Sequence, residues 1–182
     1  DPDELDRLNN GGLLGEEPHR GIPGVEANTG SLGHGLGLAC GMALADKLEG
    51  SQARTFVLLG DGECWEGSVW EALTFGAHHR LNITAIIDRN GLAIGGETET
   101  ILAHGRLEDK LRAFGWQTLK ANGHNVEMLA DLCAWPTAGP IAIIAKTVKG
   151  SGVSFMENDP AWHHGTLSAA QLDQARSEIG TS

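Results

Sequence analysis

The chain has 182 residues and a formal net charge of −11 at pH 7, a size that suits one α/β domain with a sizeable core. This acidity argues against nucleic acid and anionic membranes as partners, because both bind basic patches. No apolar run approaches the roughly 18 residues of a membrane span. Three widely spaced cysteines, Cys40, Cys64 and Cys133, favour buried or partly buried thiols in a reducing compartment, so we expect a cytoplasmic protein.

Glycine, proline and charged residues dominate the first 28 positions and predict a surface loop after a short helix around Glu4 to Leu8. Small and apolar residues then recur at helical spacing from Ser31 to about Leu48, with Ser31 available as the N-cap. Further elements alternate between the two types: strand 54–59, helix about 66–79, strand 83–88, a loop to about 104, helix about 106–113, strand 116–120, helix about 126–134, strand 141–146, an irregular loop 151–165 and a polar helix about 168–178.

Alternating strands and helices are typical of a parallel sheet that is covered by helices on both faces. The sequence therefore predicts an α/β fold, and residues 1–182 are expected to form a single domain. Open parallel sheets bind their ligands beyond the carboxyl ends of the strands. The turns that follow the predicted strands are thus the places to look for functional side chains.

Two such turns carry oxygen donors. Gly60-Asp61-Gly62 ends the apolar run 55–59, and Asp88-Arg89-Asn90 ends the run 83–87. Asp61 and Asn90 lie 29 positions apart, about one strand–helix–strand crossover, so the two strands are expected to be parallel neighbours. A hard divalent cation that carries a diphosphate would suit such a pocket. The alternative is structural: Asp61 caps the following helix, and Asn90 stabilises a tight turn.

The same turns resemble a known family. Gly60-Asp61-Gly62 with a later Asn90 is similar to the metal–diphosphate motif of thiamine diphosphate enzymes, and the segment 66–72, EGSVWEA, resembles transketolase in particular. Further matches follow in order: the segment 29–35 (TGSLGHG), the segment 113–116 (AFGW) and the segment 146–150 (KTVKG). The resemblance extends from about Leu5 to Gly165, and it implies the thiamine diphosphate-binding fold for this domain.

The resemblance implies a cofactor site with thiamine diphosphate and Mg²⁺ or Ca²⁺. Asp61 and Asn90 would bind the cation through their side chains and Leu92 through its carbonyl oxygen. The remaining cofactor contacts implied by the family are at Gly30, Leu32, Gly62, Glu66, Lys149 and His164.

Three of the implied residues have catalytic roles in the family. Glu66 and Glu71 correspond to a buried acidic relay that joins two active sites across a dimer interface, although helical glutamates are more often solvated. His164, directly before Gly165, corresponds to a histidine near the diphosphate and the substrate. Its alternative is that the pair 163–164 is a solvated loop pair.

The family also implies a partner. Its aminopyrimidine-activating glutamate belongs to a pyrimidine-binding domain that this chain lacks, and a family segment that precedes this stretch is missing as well. We therefore expect a split transketolase, in which this chain is the diphosphate-binding subunit. A second chain with the pyrimidine-binding domain would join it in a dimer of heterodimers. The reaction would transfer a two-carbon ketol unit from a ketose to an aldose, either sugars or sugar phosphates.

Three other functions stay open at this point. The chain could be a non-catalytic cofactor-binding or scaffolding subunit, or a related thiamine diphosphate-dependent ketol or acyl transferase with a specialised substrate. A metal-dependent phosphotransferase with Asp61 as its nucleophile is a smaller rival, and it requires an aspartyl-phosphate intermediate.

Overall fold

Four strands form one parallel sheet in the computed structural model, which describes residues 7, 12–15, 17–136 and 138–180. The strands are β1 (Thr55–Gly60), β2 (Ile83–Arg89), β5 (Gln117–Asn122) and β6 (Ile141–Lys146), in the spatial order β1-β2-β6-β5. Gly60 pairs with Asp88 and Arg89 pairs with Lys146, so the carboxyl ends of three strands meet at one edge. The predicted crossover between β1 and β2 is confirmed.

Helices connect these strands, as the alternating pattern predicted. They are α1 (Gly35–Leu48), α2 (Gly67–His78), α3 (Thr98–Ile101), α4 (Leu107–Ala113), α5 (Val126–Cys133) and α6 (Ala169–Ile179), with short 3₁₀ helices at Gly62–Trp65 and Pro160–His163. The stretch predicted as a loop up to residue 104 also contains α3 and a small antiparallel hairpin of β3 (Leu92–Ala93) and β4 (Gly96–Glu97). Elements this short carry too few residues for a hydrophobic period, and the sequence analysis missed them for that reason.

Helices cover both faces of the sheet, which confirms the predicted α/β architecture. On one face, α1, α2 and α4 bury a core that includes Leu59, Ile83 and Ile87. On the other face, Ile141 and Ile143 are buried against the side chains of α5. The outer strand β1 is left partly bare on that second face, where Phe56 is 49% exposed and Leu58 is 71% exposed.

The start of α1 corrects one prediction. The helix begins at Gly35 with His34 at the N-cap position, whereas Ser31 had been expected to cap it. Gly33 lies between them with φ +84°, a conformation that no α-helical residue adopts. Ser31 therefore belongs to the preceding turn, where its carbonyl accepts a hydrogen bond from the His34 N–H at 3.3 Å.

Cys40 and Cys64 are buried and Cys133 is partly buried, as the sequence analysis predicted for these thiols. Burial raises the pKa of the Cys64 thiol to about 12, with a further rise from the nearby carboxylates of Glu63 and Asp61. Because the thiolate is the reactive form, this cysteine is inert at neutral pH despite its place beside Asp61.

Two remaining expectations concern the ends of the chain and its environment. The short helix expected around residues 4–8 lies outside the described residues, apart from position 7. Within residues 7–180 as described, no helix is both long and apolar enough to cross a membrane.

Candidate functional site

Asp61 is fixed at the end of β1 by three hydrogen bonds to its carboxylate. Oδ1 accepts from the Gly62 N–H at 2.8 Å, which makes Asp61 the N-cap of the 3₁₀ helix. Oδ2 accepts from the Gly91 N–H at 2.8 Å and from Arg89 Nη1 at 3.0 Å. The residue is only 1% exposed. A buried carboxylate with this many donors is held in one orientation, at the strand edge where the sequence placed it.

Asn90 lies in the turn that contacts Asp61. Its Oδ1 accepts from the Leu92 N–H at 2.8 Å, so the side chain closes a tight turn before β3. Both structural roles proposed as alternatives, the cap at Asp61 and the turn at Asn90, are thus present. These roles are compatible with cation binding. A carboxylate or amide oxygen has two lone pairs, and among the described residues Asp61 Oδ1 and Asn90 Oδ1 each accept one hydrogen bond, so one lone pair of each oxygen is available for a cation.

Arg89 extends this network away from the strand edge. Its guanidinium donates to Asp61, to Thr98 Oγ1 at 3.2 Å and to Glu99 Oε1 at 2.5 Å. Glu99 in turn accepts from the N–H groups of His104 and Gly105. The hydrogen bond from Arg89 is the main cause that lowers the pKa of Glu99, so this carboxylate is ionised at neutral pH. The sequence analysis gave Arg89 no role, because its partners are distant in the chain.

Glu63 is a second residue that sequence reasoning missed. Its Oε1 accepts from the Gly33 N–H at 2.9 Å and its Oε2 accepts from the Gly60 N–H at 3.1 Å. One carboxylate therefore joins the turn before α1 to the end of β1. An acidic residue in the first turn of a helix, where backbone N–H groups lack partners, is too common to have identified Gly33 as its partner.

Replacing Glu63 by glutamine is expected to lower the free energy of unfolding by about 1–2 kcal/mol, because an amide offers one acceptor oxygen and leaves one of the two backbone N–H groups unpaired. Urea denaturation measures the change. Glu49→Gln, at an exposed position just after α1, is the control and should differ from the original chain by less than about 0.5 kcal/mol. Equal effects of the two substitutions would contradict the bridging role.

The predicted diphosphate contacts lie around the same turns. Gly30 and Gly33 both have positive φ, +135° and +84°, and Leu32 between them is exposed. The Ser68 hydroxyl donates to the Gly33 carbonyl at 2.9 Å, which connects this turn to the start of α2. Gly62 donates its N–H to Asp61, so a diphosphate oxygen would share that donor. Contacts from these residues to a cofactor stay predictions.

Glu66 and Glu71 are both exposed in this chain. Glu66 directly precedes α2, and Glu71 lines a cleft of about 530 Å³ between α1 and α2 together with Gly37, Gly41 and Phe75. The structure thus places both carboxylates on an open surface. Their burial in a relay is a property that only an assembled dimer could have, and it stays a prediction.

Lys149 and His164 belong to the segment that follows β6. Lys149 is partly buried, and its carbonyl accepts from the Asn158 N–H at 3.0 Å, which closes the loop 149–158. His164 is exposed and lines a second cavity of about 450 Å³ with His163, Pro160, Ala161 and Ile94. Because Ile94 is two residues beyond Leu92, this cavity opens beside the turn that holds Asn90.

The three proposed cation ligands all offer oxygen. Asp61 would contribute a carboxylate, Asn90 an amide and Leu92 a backbone carbonyl, and such hard oxygen ligands suit Mg²⁺ or Ca²⁺. The described residues contain no group of three His, Cys, Asp or Glu side chains placed to hold a metal. A cation here would therefore need further oxygens from a bound ligand, which the diphosphate of the predicted cofactor would provide.

Comparison with known proteins identifies the family. The family model described as "Transketolase, thiamine diphosphate binding domain" matches residues 14–182. One of the subunits of the apulose-4-phosphate transketolase of Phocaeicola vulgatus is 42% identical over 173 residues, which are 93% of this chain and 62% of that protein. The equivalent protein of Actinobacillus succinogenes is 41% identical, with 92% and 62% covered. The chain therefore spans less than two thirds of these curated relatives.

Complete transketolases match over a smaller share of their length. Mouse transketolase is 43% identical over 159 residues, 85% of this chain and 25% of that protein. The crystal structure of transketolase from Campylobacter jejuni superposes with a TM-score of 0.87 and 28% identity, and the match covers 98% of this chain and 30% of that one. These findings confirm the resemblance drawn from the motifs: this chain belongs to the transketolase family and carries its thiamine diphosphate-binding domain.

Proposed function

We propose that this chain is the diphosphate-binding subunit of a two-chain transketolase. The observation that carries the proposal is the match of 93% of the chain to a protein named as one subunit of a transketolase, together with Asp61 and Asn90 at adjacent strand ends. A second chain would supply the pyrimidine-binding domain, and two such pairs would form a dimer of heterodimers.

Each residue of the site has a proposed task. Asp61, Asn90 and the Leu92 carbonyl would hold Mg²⁺ or Ca²⁺, and Gly30, Leu32, Gly62, Glu66 and Lys149 would contact the cofactor. Bound thiamine diphosphate supplies a carbon nucleophile and an electron sink for the cleavage of a carbon–carbon bond. The protein supplies orientation, charge and the exclusion of water.

The remaining catalytic proposals concern protons and substrate. His164 lies at a cavity mouth, where an imidazole could donate a hydrogen bond to the substrate or move a proton near neutral pH. Glu66 and Glu71 would form the acidic relay that the family resemblance implies and would share protons across a subunit interface. The substrate class would be a ketose phosphate donor and an aldose acceptor, with apulose 4-phosphate as the first donor to test because two relatives are named for that compound.

Reconstitution tests this function. The chain is co-expressed with a candidate second chain that carries the pyrimidine-binding domain, and ketol transfer from apulose 4-phosphate to an aldose phosphate is followed by mass spectrometry. We expect product only when both chains, thiamine diphosphate and Mg²⁺ are present. Each chain alone is the control.

Two results would contradict the proposal in different ways. An assembled pair that binds thiamine diphosphate but transfers no ketol unit from any of a panel of ketose phosphates would identify a non-catalytic subunit. Transfer by this chain without a partner would contradict the split arrangement.

A further inference from the structure

Arg89 occupies an unusual place for a positive charge. Its guanidinium lies 3.0 Å from the carboxylate of Asp61, the residue proposed above as a cation ligand, and 2.5 Å from that of Glu99. The Arg89 side chain is 19% exposed. A fixed positive charge paired with a proposed cation ligand repels an incoming cation, because like charges interact more strongly in a partly buried environment than in bulk water.

The structure fixes Arg89 from both sides. Thr98 Oγ1 and Glu99 accept from the guanidinium, and Glu99 is itself held by the N–H groups of His104 and Gly105. Trp65 stacks on the His104 ring with centroids 5.5 Å apart, and its indole N–H donates to the Leu102 carbonyl at 2.9 Å. The segment 98–105 is thus attached to the 3₁₀ helix after Asp61, and the guanidinium lies between these two segments.

The charges of the proposed ligand set follow from this arrangement. Asp61 is its one ionised member, since Asn90 and the Leu92 carbonyl are neutral. Arg89 lies between Asp61 and Glu99, so it offsets one of these two negative charges and leaves a net charge of −1 on the three side chains. Affinity for hard cations rises with the number of charged ligands, so this partial neutralisation weakens the binding of a bare divalent ion. Thiamine diphosphate brings further negative charges with it.

The same guanidinium favours the diphosphate. Without it, Asp61 and Glu99 would present two uncompensated carboxylates to an anionic ligand. For a cation bound to diphosphate, attraction of the phosphates and repulsion of the cation by Arg89 largely cancel. For the bare cation, no attraction of phosphates offsets the repulsion by Arg89, so its affinity for the site is lowered.

We propose that Arg89 is a specificity-determining residue that rejects the bare divalent cation and admits the cation as its diphosphate complex. The inference rests on the proposed cation site at Asp61 and Asn90. Arg89 is not itself a cation ligand in this proposal. Its role is to favour binding of the metal together with the cofactor over binding of the metal alone.

Binding of Mn²⁺ to the full chain tests this role. Electron paramagnetic resonance of free Mn²⁺ gives the affinity for the bare ion, and calorimetry with Mn²⁺-saturated thiamine diphosphate gives the affinity for the complex. We expect Arg89→Gln to bind bare Mn²⁺ about tenfold more tightly, while its affinity for the complex changes less than about threefold. Arg89→Lys, which keeps the charge, should retain the original preference.

Arg112→Gln is the matched control, because Arg112 is a surface arginine paired with Asp109 at 3.1 Å on α4. It loses the same charge and should leave both affinities unchanged. Circular dichroism checks the fold of each variant. Arg89→Met is the second neutral variant, since its unbranched apolar side chain fills the same partly buried space. It replaces Arg89→Gln if the glutamine variant does not fold.

The outcomes separate this inference from the proposed function. Unchanged or weaker binding of bare Mn²⁺ by the neutral variants would overturn the role of Arg89. Equal changes in the affinities for the bare ion and for the complex would also overturn it, because a residue with a purely structural role would affect both equally. If the original chain binds neither form, both alone and co-expressed with a candidate chain that carries the pyrimidine-binding domain, the proposed cation site is wrong and the inference falls with it.

Discussion

Asp61→Asn is expected to abolish Mg²⁺-dependent binding of thiamine diphosphate, with an affinity at least about 100-fold lower than that of the original chain. The substitution removes the one ionised member of the proposed ligand set. It also places an amide where Oδ2 accepts from Gly91 N–H and Arg89 and Oδ1 accepts from Gly62 N–H, so the side chain loses acceptors as well as charge. Isothermal calorimetry with Mg²⁺ and thiamine diphosphate measures the loss.

The control for this experiment is Asp109→Asn, a carboxylate on α4 that is 49% exposed and pairs with surface arginines. Thermal unfolding of both variants separates loss of the ligand from loss of the fold. Mg²⁺-dependent binding by Asp61→Asn within about threefold of the original value would contradict the assignment of Asp61 as a cation ligand.

Gly33→Ala is expected to lower the free energy of unfolding by about 2–5 kcal/mol. The backbone at Gly33 has φ +84°, which costs an alanine about 1–2 kcal/mol. The added Cβ would lie 2.5 Å from Ser68 Oγ and 2.6 Å from Glu66 Cβ, so the turn and the start of α2 would have to separate. Such overpacking adds about 1–3 kcal/mol. Urea denaturation measures the sum.

Gly37→Ala is the matched control, because Gly37 lies within α1 and an added Cβ there meets no atom within 4 Å. Alanine in an open helical position should raise the free energy of unfolding by about 0.5–1 kcal/mol. The two substitutions are thus expected to act in opposite directions. A Gly33→Ala chain as stable as the original would show that the turn tolerates a side chain and needs no left-handed residue.

Much of this fold is predictable because the two inner strands, β2 and β6, are buried on both faces. The run 141–145 is apolar throughout and the run 83–87 has a single threonine, which marks both as inner strands of a parallel sheet, and glycine-bounded Asp61 marks the end of another strand. The order of the elements then requires that Asp61 and Asn90 meet at one edge. The starting point of α1 escaped prediction, because a single positive φ at Gly33 overrode the helical spacing around it.

The parts of the site that sequence reasoning missed depend on distant partners. Glu63 reaches Gly33, 30 positions away, and Arg89 reaches Asp61, 28 positions away. Neither pairing leaves a local pattern, since a glutamate in the first turn after a glycine or an arginine at a strand end occurs in many proteins without such contacts. Only the folded sheet brings these side chains onto the residues that they hold.

The partly exposed face of β1 affects how the chain behaves in solution. Its outer edge borders two apolar side chains, Phe56 and Leu58, and β1 is the terminal strand of the sheet formed by the described residues. An open edge beside apolar surface is a template on which another strand can pair, including one from a second copy. Self-association at this edge is therefore expected to increase as the concentration of the chain rises.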